Sequence, residues 1–252
     1  MKSARTVPGV LFAAALGAAM AAVPTRPASA ATGYYLVSIY DVEGQKSVDF
    51  KYWNADYKRS ASTSSPELGF GYGVTSRWYT ELTAVWIRRH GRSDRLASVD
   101  WQNDYMLTQG QYPFDLALHT VVGRGDGSPH SYSVEIGPAL QTEIWRTQFN
   151  FNVFLQRDYR TGQAEQTQLA YQWQVKQRWK SWLQPGIQGF GEVGQWNDWL
   201  PEKQRSHRLG PALFGSRGMG AGHELKYEAA WLVGRNSART AKSFTMRVQY
   251  IF

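Results

Sequence analysis

The 252-residue chain contains no cysteine. This excludes a disulfide-stapled fold, a thiolate metal site and a cysteine nucleophile. Beyond residue 30 there is no apolar run approaching the ~20 residues of a membrane-spanning helix. Leu-rich stretches with helical period are missing, as are low-complexity blocks and fixed-period repeats. Charge of one sign is also in short supply. The net charge is +8, but Lys2, Arg5 and Arg26 supply three of those charges and no acid precedes residue 31, so the remainder carries +5. A mild surplus spread along the chain leaves no basic patch to suggest a nucleic-acid partner.

What is present begins with an export pattern. Lys2 and Arg5 precede an uncharged, Ala-rich apolar run from Val10 to Val23, and Ala28-Ser29-Ala30 fits the small-x-small cleavage rule. Residues 1–30 therefore read as a signal peptide, with cleavage expected after Ala30. As a membrane anchor the run is short. Residues 31–44, including "YYLVSIYD" (Tyr34 to Asp41), are expected to form a periplasmic extension or the start of a first strand. Residues 45–252 read as one domain.

The chain is rich in aromatics, with eleven Trp and fourteen Tyr, and this domain alternates. In "QFNFNVFLQ", Phe149, Phe151, Val153 and Leu155 share one face of a strand, while Gln148, Asn150, Asn152 and Gln156 share the other. "QLAYQWQVKQR" (Gln168 to Arg178) and "ELKYEAAWLVG" (Glu224 to Gly234) repeat the rhythm. Twelve strands are expected, near 45–53, 67–75, 78–89, 95–108, 113–124, 131–142, 146–157, 164–178, 183–194, 205–216, 222–235 and 241–252. Each is close to the nine to eleven or so residues of a tilted membrane-crossing strand. The connections alternate between tight turns and longer loops, the longest expected at Asn54 to Pro66.

Trp78, Tyr112, Trp145, Trp179 and Trp182 fall at the short turns. Trp53, Tyr57, Trp86, Tyr159, Trp196 and Trp199 fall near the long loops. Two such groups would form the aromatic girdles of an outer-membrane barrel. A soluble sandwich would instead bury apolar faces against each other. Here the interleaved faces carry Gln, Asn and charge, which suits a wet or hydrogen-bonded interior. The fold class is therefore all-β, a transmembrane antiparallel up-and-down barrel of about twelve strands, expected in the bacterial outer membrane with lipid around it.

The chain stops on "FTMRVQYIF". Tyr250 and Phe252 continue the apolar alternation to the final residue. This ending resembles the terminal signature through which the barrel-assembly machinery recognises bacterial outer-membrane proteins, which makes that machinery an expected partner.

Continuing the alternation around the barrel gives a lumen-facing set: Asp49, Lys51, Glu81, Asp100, Asp104, Asp115, His119, Glu135, Glu143, Lys176, Arg178, Glu192, Arg208, Glu224, Lys226, Glu228 and Arg247, with Gln102, Gln141, Gln172 and Gln174 among them. Mixed charges in a lumen have two readings. They fill and rigidify it as ion pairs, or they line a pore that selects solutes by charge. Twelve strands lie between side-chain-filled small barrels and open large ones, so both readings stand.

Catalysis would need a serine beside a histidine on one face. His130-Ser131 and Ser206-His207 are sequence neighbours, so their side chains point oppositely. His119 has Ala117 and Val121 at the same-face positions of its own strand. No His-x-His pair or acid cluster suggests a metal, and no cofactor is expected. Gly-rich "GSRGMGAG" (Gly215 to Gly222) has no following helix and reads as a turn rather than a phosphate loop.

Four stretches carry a family resemblance: "VDWQNDYMLTQGQYPFDLAL", "EIGPALQTEIW", "RLGPALFG" and "LKYEAAWLVG". Together they resemble a group of uncharacterised exported proteins of proteobacteria. More loosely, they are similar to the outer-membrane proteins grouped under the phenol-degradation meta-pathway. The resemblance implies an outer-membrane barrel and brings no active site. The expected function is a narrow passive channel for small solutes. The alternatives are a closed structural or interaction barrel and, further off, a lipid-modifying enzyme.

Overall fold

The computed structural model describes residues 35–38, 43–57, 61–89, 95–125, 131–160, 165–236 and 239–252. Twelve strands form the wall: β1 (Lys46–Tyr57), β2 (Thr63–Gly73), β3 (Trp78–Arg89), β4 (Arg95–Met106), β5 (Phe114–Gly125), β6 (Tyr132–Ile144), β7 (Thr147–Tyr159), β8 (Gln168–Gln177), β9 (Gln184–Gln195), β10 (Ser206–Gly220), β11 (His223–Asn236) and β12 (Arg239–Ile251). A two-residue strand, Asp198–Trp199, folds back on β9, and a 3-10 turn follows at Glu202–Gln204.

Every neighbouring pair is antiparallel, and β12 returns to β1 in register from Ser47↔Ile251 to Tyr57↔Ala241. The seam is sealed further by paired main-chain bonds between Lys46 and Phe252, each 2.9 Å. Closure leaves no row of unpaired backbone groups facing lipid, where each would cost several kcal/mol.

The strands alternate as the sequence requires, with burial inverted relative to a soluble protein. Lys51, Glu81, His119 and Arg208 are almost wholly buried, while Phe70, Leu82, Trp101 and Trp231 are half-exposed or more. The apolar residues point outward because lipid is their solvent, and the charges point in.

The first hairpin is longer than expected. β1 runs on to Tyr57 and β2 begins at Thr63, so most of the stretch read as a loop is wall. Trp53 and Tyr57 therefore keep the inward phase of Asp49 and Lys51 and do not join a girdle. Trp53 packs against an interior apolar cluster, and the Tyr57 hydroxyl accepts a hydrogen bond from Asn236 Nδ2 at 2.8 Å. Trp145, Trp179, Trp182 and Tyr112 are exposed at the short turns. Trp196 and Trp199 are exposed at the opposite end, where Tyr132 and Tyr159 stack at 4.9 Å. "GSRGMGAG" extends β10 to Gly220, and the turn shrinks to Ala221-Gly222, both at positive φ as a tight hairpin requires.

Two Gly-Pro-Ala-Leu stretches occupy β6 (137–140) and β10 (210–213). In each, the glycine and proline drop out of the ladder to the following strand, since proline offers no N–H. In each, a Cβ on the glycine would collide with a carbonyl oxygen of that next strand, Val153 or Trp231. In each, the alanine is buried in an interior apolar cluster.

Candidate functional site

The site is the barrel interior. At mid-height, Asp49 and Lys51 on β1 meet Arg247 on β12 and Glu81 on β3. Lys51 and Arg247 are direct cross-strand neighbours. Two cations so placed repel unless acids separate them. Asp49 takes the Arg247 fork, with Nη2 at 2.6 Å and Nε at 2.8 Å, and Glu81 Oε1 takes Lys51 Nζ at 2.5 Å. Glu81 also accepts from the Tyr79 hydroxyl at 2.7 Å and the Thr83 hydroxyl at 2.9 Å. The inner face of β2 makes room for this group. Gly69 and Gly71 carry no side chain where the Glu81 carboxylate and Tyr79 hydroxyl lie over the backbone.

Residues 35–38 cross the lumen beside this network, within the barrel and not outside it as an extension. Tyr35, Leu36 and Val37 are buried. The Tyr35 hydroxyl donates to Glu67 Oε2 at 2.7 Å, and Lys51 Nζ stands 4.6 Å from the Tyr35 ring centroid. The Val37 amide donates to Gln172 Oε1 at 3.2 Å, and the Val37 carbonyl accepts from Asn152 Nδ2 at 3.1 Å. The segment thus ties β2 to β7 and β8 across the lumen. Its Val37 side chain closes an apolar cluster with Met106, Ala117, Ala139 and Phe154.

His119, beside that cluster, is fully buried between two acids. Its Nδ1 lies 2.5 Å from Asp104 Oδ1, its Nε2 lies 3.4 Å from Glu135 Oε1, and the Phe154 ring covers it at 4.8 Å. Ser206 and His207 face opposite ways, as strand geometry demands. Ser206 is buried and donates toward Asn236 and Glu192, while exposed His207 meets the Tyr171 hydroxyl at 2.6 Å through Nδ1. His130 lies outside the described residues.

Toward the long-loop end, Arg208 Nη1 donates to Ser243 Oγ at 3.0 Å. Nearby, Phe190, Phe214 and Leu232 form the second apolar cluster.

Toward the short-turn end the lumen opens into a cavity of about 370 Å³. One wall is a carboxamide lattice. Gln148 Nε2 donates to Gln141 Oε1 at 3.0 Å and to Asn150 Oδ1 at 2.8 Å, and Asn150 Nδ2 donates to Gln141 Oε1 at 2.8 Å. Leu36 and Ser38 border the cavity from the lumen side, and Lys176, Glu228 and Phe214 line it too.

The expected lumen residues therefore separate by level. Asp49, Lys51, Glu81, Asp100, Asp104, His119, Glu135 and Arg208 are buried in the filled interior. Arg178–Glu143 (2.5 Å) and Lys226–Glu224 (3.7 Å) are ion pairs at the more exposed turn-end rim. Asp115 caps the adjoining turn, accepting the Gly110 amide at 2.8 Å. Glu192 sits near the loop end with Ser206.

Sequence reasoning missed Tyr35 and Glu67. The signal for Glu67 was present in "ELGFGYG", where Leu68, Phe70 and Tyr72 alternate with Glu67 and glycines. Placing the strand boundary at residue 67 hid its inward phase. Nothing local marks Tyr35, whose partner lies 32 residues away.

No protein-family model matches the sequence, and no curated protein does. Solved structures match in fold. An outer-membrane channel from Pseudomonas putida F1 superposes with a TM-score of 0.53 at 11% identity, over 86% of this chain and 98% of that one. The β domain of the Bordetella autotransporter BrkA gives 0.54 at 14%, over 84% and 99%. The translocator domain of the autotransporter NalP from Neisseria meningitidis gives 0.52 at 10%, over 84% and 89%. At such identities the likeness is one of architecture. With the inverted burial and closed antiparallel wall, it makes this chain a β-barrel of the outer-membrane type.

Proposed function

We propose that this barrel is an outer-membrane channel for small polar solutes, shut in the described conformation by residues 35–38. The observation that carries the reading is that part of the lumen filling does not belong to the wall. A purely structural barrel could be filled by strand side chains alone. Here a separate segment spans the lumen on a handful of hydrogen bonds, each worth about 0.5–1.5 kcal/mol net, more where a charge takes part. It lies over Lys51, Glu67 and Arg247, and displacing it would bare a polar path beside them. The polar cavity already present at the turn end supports the same reading.

His119 supports a structural role. Both ring nitrogens face carboxylates, and among the described residues no hydroxyl is hydrogen-bonded to it. The reading is accordingly of a conduit, with His119 part of its filling. The apolar cluster around Val37 favours one rival, a permanently closed barrel.

Planar-bilayer recording separates the two. The intact protein is expected to give small or infrequent openings, and a variant lacking residues 35–38 larger or more frequent ones. Silence from both, where a porin control conducts, would remove the channel reading.

A further inference from the structure

The cavity at the short-turn end holds one charge of each sign that is in no ion pair among the described residues, though the two feel each other's field. Lys176, on β8, has no ion-pair partner among the described residues. Its Nζ stands over the Phe214 ring, 5.3 Å from the centroid. Glu228, on β11, has neither an ion pair nor a hydrogen bond there. The neighbouring cations are committed elsewhere: Arg247 to Asp49, Arg178 to Glu143 and Lys226 to Glu224. Lys176 and Glu228 come from different strands and stand beyond ion-pair distance of each other, yet both line the cavity. The carboxamide lattice of Gln141, Gln148 and Asn150 completes the lining, each group pinned by the others and so held in place.

From this arrangement we infer that the cavity is a binding site for a zwitterion, an amino acid or short peptide. Its carboxylate meets Lys176, its ammonium meets Glu228, and its polar middle faces the carboxamides. A protein-bound charge left without a partner at the edge of a low-dielectric wall gains from a ligand charge. Two opposite ones around a single cavity gain most from a ligand carrying both. A singly charged solute satisfies one and leaves the other as it was, and a neutral polyol satisfies neither. The volume falls in the roughly 300–1,000 Å³ range of small-molecule sites. The inference deepens the channel reading by naming its solute class, but binding can be measured whether or not the barrel conducts.

The experiment is calorimetric titration of the full chain in detergent micelles, with empty micelles subtracted. The probes are alanyl-alanine, its N-acetyl derivative, its C-terminal amide, and maltose. Alanyl-alanine is expected to bind, and each singly charged derivative to bind about tenfold more weakly. Lys176→Gln should weaken alanyl-alanine and the N-acetyl derivative while sparing the amide. Glu228→Gln should do the reverse. Equal affinity for all three peptides, tighter binding of maltose, or no binding by any probe would overturn the assignment. If a variant fails to fold, judged by heat-modifiable gel mobility, the probe series on the unaltered protein decides alone. A conducting barrel that binds none of the peptides would sink this inference and leave the channel reading intact.

Discussion

The Tyr35 hydroxyl donates to Glu67 Oε2 at 2.7 Å, joining a segment outside the strands to the inner face of β2. Glu67 is buried, so this donor replaces water that cannot reach it. Tyr35→Phe removes the donor and leaves a buried carboxylate short of a partner, at about 1.5–3 kcal/mol. More frequent channel openings are expected from Tyr35→Phe in planar bilayers, with the strand signature in circular dichroism unchanged. Openings no more frequent than those of the parent would show that the bond does not hold the segment.

The central ion group behaves as a unit. Arg247→Met leaves Asp49 only the longer contact to Lys51 Nζ at 3.7 Å, and breaking a buried pair this way destabilises by about 3–5 kcal/mol. Asp49→Asn combined with Arg247→Met removes both charges and should recover much of the loss. Urea unfolding in lipid vesicles, followed by Trp fluorescence, measures the difference. Losses that simply add would mean the two side chains are not coupled.

The outer wall answers to lipid. Leu82, 54% exposed, faces outward near mid-strand. Leu82→Arg should destabilise by about 2–4 kcal/mol in bilayers. A soluble form of the protein would accept it with little change, so vesicle unfolding tests the membrane placement directly.

The two Gly-Pro-Ala-Leu stretches predict a position-specific effect of one methyl group. Gly137→Ala and Gly210→Ala set a Cβ against a neighbouring backbone oxygen and should destabilise by about 1–3 kcal/mol. Gly218→Ala, with open space around it, is the control and should be nearly silent. Equal stability of all three in urea would contradict the close approach.

The wall was readable because a strand buried on one side writes its register into every second residue. β3 and β4 begin at the expected residues for that reason. The first hairpin was misjudged where turn-like composition outweighed the rhythm. Ser64, Ser65 and Pro66 look like loop, yet Ser65 is an inward residue donating to the Trp86 carbonyl at 2.8 Å. Trp53 and Tyr57 followed it to the wrong side. The interior charges were legible as a set but not as partners. Which acid takes Lys51 depends on β1–β3 geometry and on Gly69 and Gly71 leaving space. Tyr35 was beyond reach, because a segment that pairs with no strand leaves no period in the sequence.

The occupation of the lumen by residues 35–38 can be tested by tethering, since the chain has no native thiol to interfere. Val37→Cys with Gln172→Cys, bridged by a short reducible bifunctional thiol reagent, fixes the segment to β8. The tethered protein should stay shut in planar bilayers, and reduction of the linker should restore the openings of the untethered double variant. Unchanged conductance on tethering and on release would contradict closure by this segment.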